Sequence, residues 1–165
     1  QHSYQGDSKV AELFEQLGIH TEYQRDGVLL STNNRDCSCF EYDFVNQPDL
    51  AQTFAVTCCL KNIPFHFRGV QSLKIKETNR VAALITELNK FGYVIHEPAD
   101  GELVWEGQTI PVHASETPSI KTYDDHRMAM AFAPAAFIRP IVIENPGVVS
   151  KSYPAFWMDL ETIQL

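Results

Sequence analysis

The stretch DLAQTFAVTCCLKNIPFHF spans Asp49–Phe67, and DHRMAMAFAPAAFIRPIVI spans Asp125–Ile143. Each opens on an aspartate, runs through small and apolar residues, reaches a proline (Pro64, Pro140) and ends in three β-prone residues, Phe65-His66-Phe67 or Ile141-Val142-Ile143. In the first, Ala51, Phe54, Ala55 and Cys58 fall at helical spacing. The two stretches align as an internal repeat of roughly 75 residues. Lys76 and Lys151 stand at nearly equal distances beyond the two strands. The unit reads as helix, strand, helix, hairpin.

Working outward, a second helix starts near Thr78, carries Val81, Leu84, Ile85 and Leu88 on one face, and stops at Gly92. Strands are expected at 93–96 and 102–105 around Asp100-Gly101. Ahead of the repeat, a helix from Asp7 or Ser8 to Gly18 buries Val10, Leu13, Phe14 and Leu17. A hairpin follows, turning at Asp26-Gly27 into Val28-Leu29-Leu30. That opening piece resembles the back half of a unit. After Lys151, Ser152 is expected to cap a last helix carrying Phe156, Leu160 and Ile163. The architecture is therefore α/β (α+β), a single domain of repeated βαβαββ units with helices packed inside sheets. Neither GxGxxG nor GxxxxGK[ST] occurs, which argues against nucleotide folds built on glycine-rich loops.

With 165 residues the chain suits one domain with an ordinary core. Its formal net charge of −8 argues against nucleic-acid or membrane-surface binding, which call for a basic field. No apolar run approaches the ~20 residues that cross a bilayer, and no basic-then-apolar leader opens the chain. A cytoplasmic location is expected. Cys37, Cys39, Cys58 and Cys59 lack zinc spacing relative to His66 and His113, so neither metal nor cofactor is expected. Gln1 is not methionine, and further sequence upstream is expected.

Charge gathers at helix starts. Lys76-Glu77-Thr78-Asn79-Arg80 feeds one helix, Asp124-Asp125-His126-Arg127 opens another, and Lys151 precedes a third. Free N–H groups and the helix dipole make such ends anion sites. Cations there oppose the dipole, and that local conflict points to a site. Taken singly, a Glu77–Arg80 surface pair or an Asp49 N-cap is the ordinary explanation. Three coincidences favour a ligand with several negative charges.

Lys76-Glu77-Thr78-Asn79-Arg80, Tyr123-Asp124-Asp125-His126-Arg127-Met128-Ala129-Met130 and Ser150-Lys151 resemble, in order and spacing, the C-terminal signatures of the EPSP synthase family, the 3-phosphoshikimate 1-carboxyvinyltransferases. The resemblance runs from Gln5-Gly6-Asp7 through Pro48-Asp49 to the last helix. It implies the enolpyruvyl transferase fold, an inside-out α/β barrel. It also implies transfer of the enolpyruvyl group of phosphoenolpyruvate to the 5-hydroxyl of shikimate 3-phosphate. By the same resemblance Asp49 is the base for that hydroxyl and Glu77 the proton donor to the methylene carbon, in opposite protonation states. Arg80 and Arg127 hold the phosphoenolpyruvate carboxylate, Lys151 its phosphate side, and Lys76 and Ser72 the shikimate 3-phosphate. Asp125 and His126 support the site from beside it.

Ser72 stands where some members have Asn, and Asn79 where Asp is more usual; Pro134 interrupts a helix that normally lacks proline. The resemblance covers the C-terminal part alone: the tail of one unit at about 1–35, then units at about 36–113 and 114–165. The N-terminal domain, a partner that closes on the substrates, is absent from this sequence, so the chain by itself is expected to be inactive. Two other readings compete. One is a non-catalytic substrate-binding or structural domain; the other is the sister UDP-N-acetylglucosamine enolpyruvyl transferase, which differs at both motifs.

Overall fold

The computed structural model describes residues 6–113 and 115–163, Asp7 by its backbone only. A 3-10 turn at Gly6–Lys9 leads into α1, Val10–Gln16. Leu13 and Leu17 are buried, Phe14 is half-buried and Val10 exposed. Lys9 occupies the cap position and its side chain makes no capping hydrogen bond, so Ser8 is not the cap residue. The side chain of Asp7 lies outside the described residues. Gly18 ends the segment at φ +90°, a conformation that glycine adopts without steric cost.

Strands β1, Ile19–Gln24, and β2, Gly27–Thr32, pair antiparallel from Ile19–Thr32 to Gln24–Gly27. The turn therefore falls on Arg25-Asp26, one residue earlier than expected. All of β2 is exposed, including Val28, Leu29 and Leu30. An apolar cleft of about 560 Å³ runs between this hairpin and α1, lined by Val10, Phe14, Tyr23 and Leu30.

Next comes β3, Phe40–Asp43, which the residue pattern did not mark. It pairs parallel with β4, Phe65–Arg68, and the connection runs through a 3-10 turn at Pro48–Leu50 and α2, Ala51–Leu60. Ala51, Phe54, Ala55, Val56, Cys58 and Cys59 are all buried, so α2 is apolar nearly all round. A helix of that kind belongs in the centre, and α2 packs against both α3, Arg80–Asn89, and α4, His126–Phe132. Helices thus lie inside and sheets outside.

α3 starts two residues later than expected because Asn79 caps it, its Oδ1 accepting the Ala82 N–H at 3.1 Å. Beyond Gly92 the expected strand at 93–96 shrinks to two bridges, Tyr93–Thr109 and His96–Val104. The cause is the excursion after Trp105. Its indole N–H donates to Gln108 O, whose carbonyl also takes the Val94 N–H and interrupts the ladder. β5, Leu103–Trp105, completes the order β3-β4-β5 by pairing antiparallel with β4. Phe40, Phe44, Phe54, Phe65, Phe67 and Trp105 fill the core beneath this sheet, with the Phe65 and Phe67 rings 4.2 Å apart.

The third pass repeats the parallel pairing. β6, Ser119–Ile120, pairs with β7, Val142–Ile143, and α4 lies between them in sequence. Pro134 ends α4 as an α-helix, and the chain continues as a 3-10 turn, Ala133–Phe137. One expectation fails here. Pro146–Lys151 is a 3-10 helix with Lys151 in its last turn, and α5, Phe156–Glu161, begins behind Ala155. Ser152 does not cap it, and Lys151 does not stand at its N-terminus. Pro154 explains the delay, since the residue before a proline is pushed out of the α region.

Candidate anion-binding active site

Four segments meet at one place: the turn carrying Asp49, the loop carrying Lys76 and Glu77, and the first turns of α3 and α4. Asp49 sits within its 3-10 turn and does not cap α2, where Leu50 holds the cap position without a side-chain bond. Its carboxylate is therefore free to face the cations. Oδ1 lies 2.9 Å from Arg80 Nη1 and 3.5 Å from Lys76 Nζ, and Oδ2 lies 3.3 Å from Arg127 Nη2. Arg127 Nη1 also donates to the Asp49 carbonyl at 3.3 Å.

Arg80 is 2 % exposed and binds three carboxylates at once. Its Nε donates to Asp125 Oδ2 at 2.5 Å, Nη1 to Asp49 Oδ1, and Nη2 to Glu77 Oε2 at 2.7 Å. Asp125, wholly buried, caps α4 with its other oxygen, which accepts the Arg127 N–H at 2.8 Å. The expected cap is real, and the same side chain joins the starts of α3 and α4. Asp124 plays no capping role; its Oδ1 accepts from Asn145 Nδ2 at 2.9 Å.

Partial burial pulls the Asp49 carboxyl upward, but Arg127, Lys76 and Arg80 together hold it below the ordinary carboxylate value. Glu77 is also lowered, first by its own backbone N–H and then, against some desolvation, by Arg80, His126 and Lys76. Both carboxyls are thus held as anions, and this arrangement does not by itself place them in opposite protonation states. Three cations face three carboxylates, so the site is locally neutral; the Arg80 guanidinium is fully engaged by those carboxylates, and Arg127 is the more open of the two forks.

His126 and Arg127 line a cleft of about 290 Å³ with Thr53, Met130, Ser152 and Tyr153. Lys151 is exposed beside Ser152 and makes no ion pair among the described residues. Ser72, in the 3-10 turn Gln71–Ile75, is half-buried; no side-chain hydrogen bond of Ser72 is formed among the described residues. Two residues escaped the sequence reading. Gln52, wholly buried in the first turn of α2, has neither amide atom paired among the described residues. Glu87 is buried on α3 and binds Tyr123, Lys121 and Lys90. A charged residue among Val81, Leu84 and Leu88 was the available signal for Glu87.

An α/β chain with helices inside and sheets outside has the architecture of the enolpyruvyl transferases. The EPSP synthase (3-phosphoshikimate 1-carboxyvinyltransferase) family model matches residues 1–160, and the chain belongs to that family. A 3-phosphoshikimate 1-carboxyvinyltransferase of Bacteroides fragilis is 56 % identical over 160 residues, 96 % of this chain and 38 % of the relative. A chloroplastic one from Arabidopsis thaliana is 36 % identical over 168 residues, 98 % of this chain and 31 % of the relative. The chain therefore spans about a third of the length of the curated relatives it matches. The solved EPSP synthase of Acinetobacter baumannii has the same fold, with a TM-score of 0.65 at 18 % identity over 94 % of this chain and 38 % of that one.

Proposed function

We propose that the full-length protein containing this chain transfers the enolpyruvyl group of phosphoenolpyruvate to the 5-hydroxyl of shikimate 3-phosphate, releasing phosphate. The observation that carries the reading is the convergence of Asp49, Lys76, Glu77, Arg80 and Arg127 in a chain of this family. Asp49, held ionised, is suited to take the hydroxyl proton. Arg80 and Arg127 clamp the phosphoenolpyruvate carboxylate, Lys151 meets its phosphate, and Lys76 and Ser72 meet the phosphate of shikimate 3-phosphate. Glu77 then donates to the methylene carbon. Anionic substrates drawing Arg80 and Lys76 away from Glu77 raise its pKa toward that of a usable acid. Asp125 and His126 hold the clamp in place.

The site has one wall here. In this reading the chain comprises the tail of one unit, about 1–35, and two further units, about 36–113 and 114–165, while an N-terminal domain supplies the opposite wall and excludes water on closing. The bare β2 and its apolar cleft against α1 support an incomplete first unit. A cytoplasmic setting fits, since no helix among the described residues is long and apolar enough to cross a membrane.

The test is direct. Full-length protein given phosphoenolpyruvate and shikimate 3-phosphate should release phosphate and form 5-enolpyruvylshikimate 3-phosphate, while the 165-residue chain alone should give no turnover. Turnover with UDP-N-acetylglucosamine in place of shikimate 3-phosphate would move the protein to the sister reaction, and no product with either would sink the reading.

A further inference from the structure

α3 buries two charged residues seven positions apart, hence on one face: Arg80 at 2 % and Glu87 at 1 % exposure. Burying a carboxylate costs several kcal/mol unless its oxygens are paired, and both oxygens of Glu87 are. Oε1 accepts the Tyr123 hydroxyl at 2.8 Å, and Oε2 accepts the Lys121 backbone N–H at 3.1 Å and the Lys90 ammonium at 2.5 Å. Lys90 in turn donates to the Ser119 carbonyl at 2.7 Å. Residues 119, 121 and 123 are thereby strapped along α3.

The strap holds a strained turn. Tyr123 and Asp124 are consecutive non-glycine residues in the left-handed region, at φ +55° and +56°. Such residues persist there only when their surroundings over-determine them. Glu87 grips Tyr123 from one side, and Asn145, itself at φ +48°, grips Asp124 from the other. The turn delivers Asp125, whose two oxygens bind Arg80 and cap the helix start that carries Arg127.

We propose that Glu87 and Tyr123 are positioning residues: their half-buried hydrogen bond fixes the left-handed turn that aims Asp125 and Arg127 at the anion site. The helix α3 therefore addresses one segment at both ends of its buried face, Arg80 on Asp125 and Glu87 on Tyr123. Burial and the Glu87 bond push the Tyr123 hydroxyl up to about 12, so it stays a neutral donor throughout the neutral range.

The kinetic part of the test rests on the proposed function and the structural part does not. In full-length protein, Tyr123→Phe and Glu87→Gln should each raise the KM for phosphoenolpyruvate roughly 10- to 100-fold, since displacement of a clamp costs that order, while the KM for shikimate 3-phosphate stays within twofold. Equal rises in both KM values, tracking a lower thermal midpoint, would overturn the proposal. In the 165-residue chain, NMR of both variants should show loss of the left-handed 13Cα and 13Cβ shifts at 123–124 and movement of the Arg127 side-chain signals. Unchanged signals at 123, 124 and 127 would overturn it too, whether or not the wild-type parent turns over.

Discussion

Arg80 Nε and Asp125 Oδ2 form an ion pair closed to water, the first residue of α3 against the cap residue of α4, 45 positions apart in sequence. It welds two helix starts whose dipoles would otherwise repel through their shared positive ends. Removing one partner leaves the other charge buried. Asp125→Ala should therefore cost about 3–5 kcal/mol in urea unfolding, and Asp125→Asn less, because its amide oxygen still caps α4. Equal stability of all three proteins would refute the account.

Acid should unfold the protein through the same cluster. Asp49 and Glu77 both have folded-state pKa values below their ordinary ones. Their contribution is thus complete above the unfolded value and is lost as pH falls through the folded one. Urea midpoints should hold level from neutrality to about pH 4.5 and then drop. In Asp49→Asn the fall should be shallower, even though the variant starts from lower stability.

Gly18 and Gly92 end α1 and the segment after α3 at nearly the same φ, +90° and +92°, yet alanine should cost different amounts at the two sites. A Cβ at Gly92 would meet the Ile110 carbonyl oxygen at 2.5 Å, whereas at Gly18 the nearest atom is 3.6 Å away. Gly18→Ala should cost about 1–2 kcal/mol from the left-handed backbone alone. Gly92→Ala should cost clearly more in the same thermal melts.

Gln52 offers a gain. Its buried amide has no partner among the described residues, and an unsatisfied buried polar group costs about 1–3 kcal/mol. Gln52→Met keeps the length and removes the polar atoms. A rise in the thermal midpoint is expected; a fall would show that the amide is paired in solution.

The elements legible in the sequence were those with a strong local signature. The apolar faces of α1 and α3, the hairpin of β1 and β2, and the run of α2 all followed from periodicity and turn residues. The break in the strand at 93–96 was not legible, because it depends on a hydrogen bond from Trp105 to a carbonyl three residues on. Lys151 ends a 3-10 helix and does not open α5, because Pro154 bars a helix from starting at Ser152. Helix-end motifs pointed to Asp49, Lys76, Glu77, Arg80 and Arg127, which the fold brings within ion-pair distance. The tie of Tyr123 to Glu87 stayed hidden because one hydrogen bond across 36 positions leaves no periodic mark, even though the charge of Glu87 among Val81, Leu84 and Leu88 was visible.

The open hairpin bears on how this chain behaves at high concentration. Val28, Leu29 and Leu30 lie on β2, which among the described residues has only β1 as a sheet neighbour and carries no lysine or proline to repel a stranger. Two such edges meeting in solution can zip into a continuous sheet, and the apolar cleft against α1 rewards the contact. Storage of the isolated chain is therefore a race between folding and edge-to-edge growth, which a single charged gatekeeper on β2 would slow.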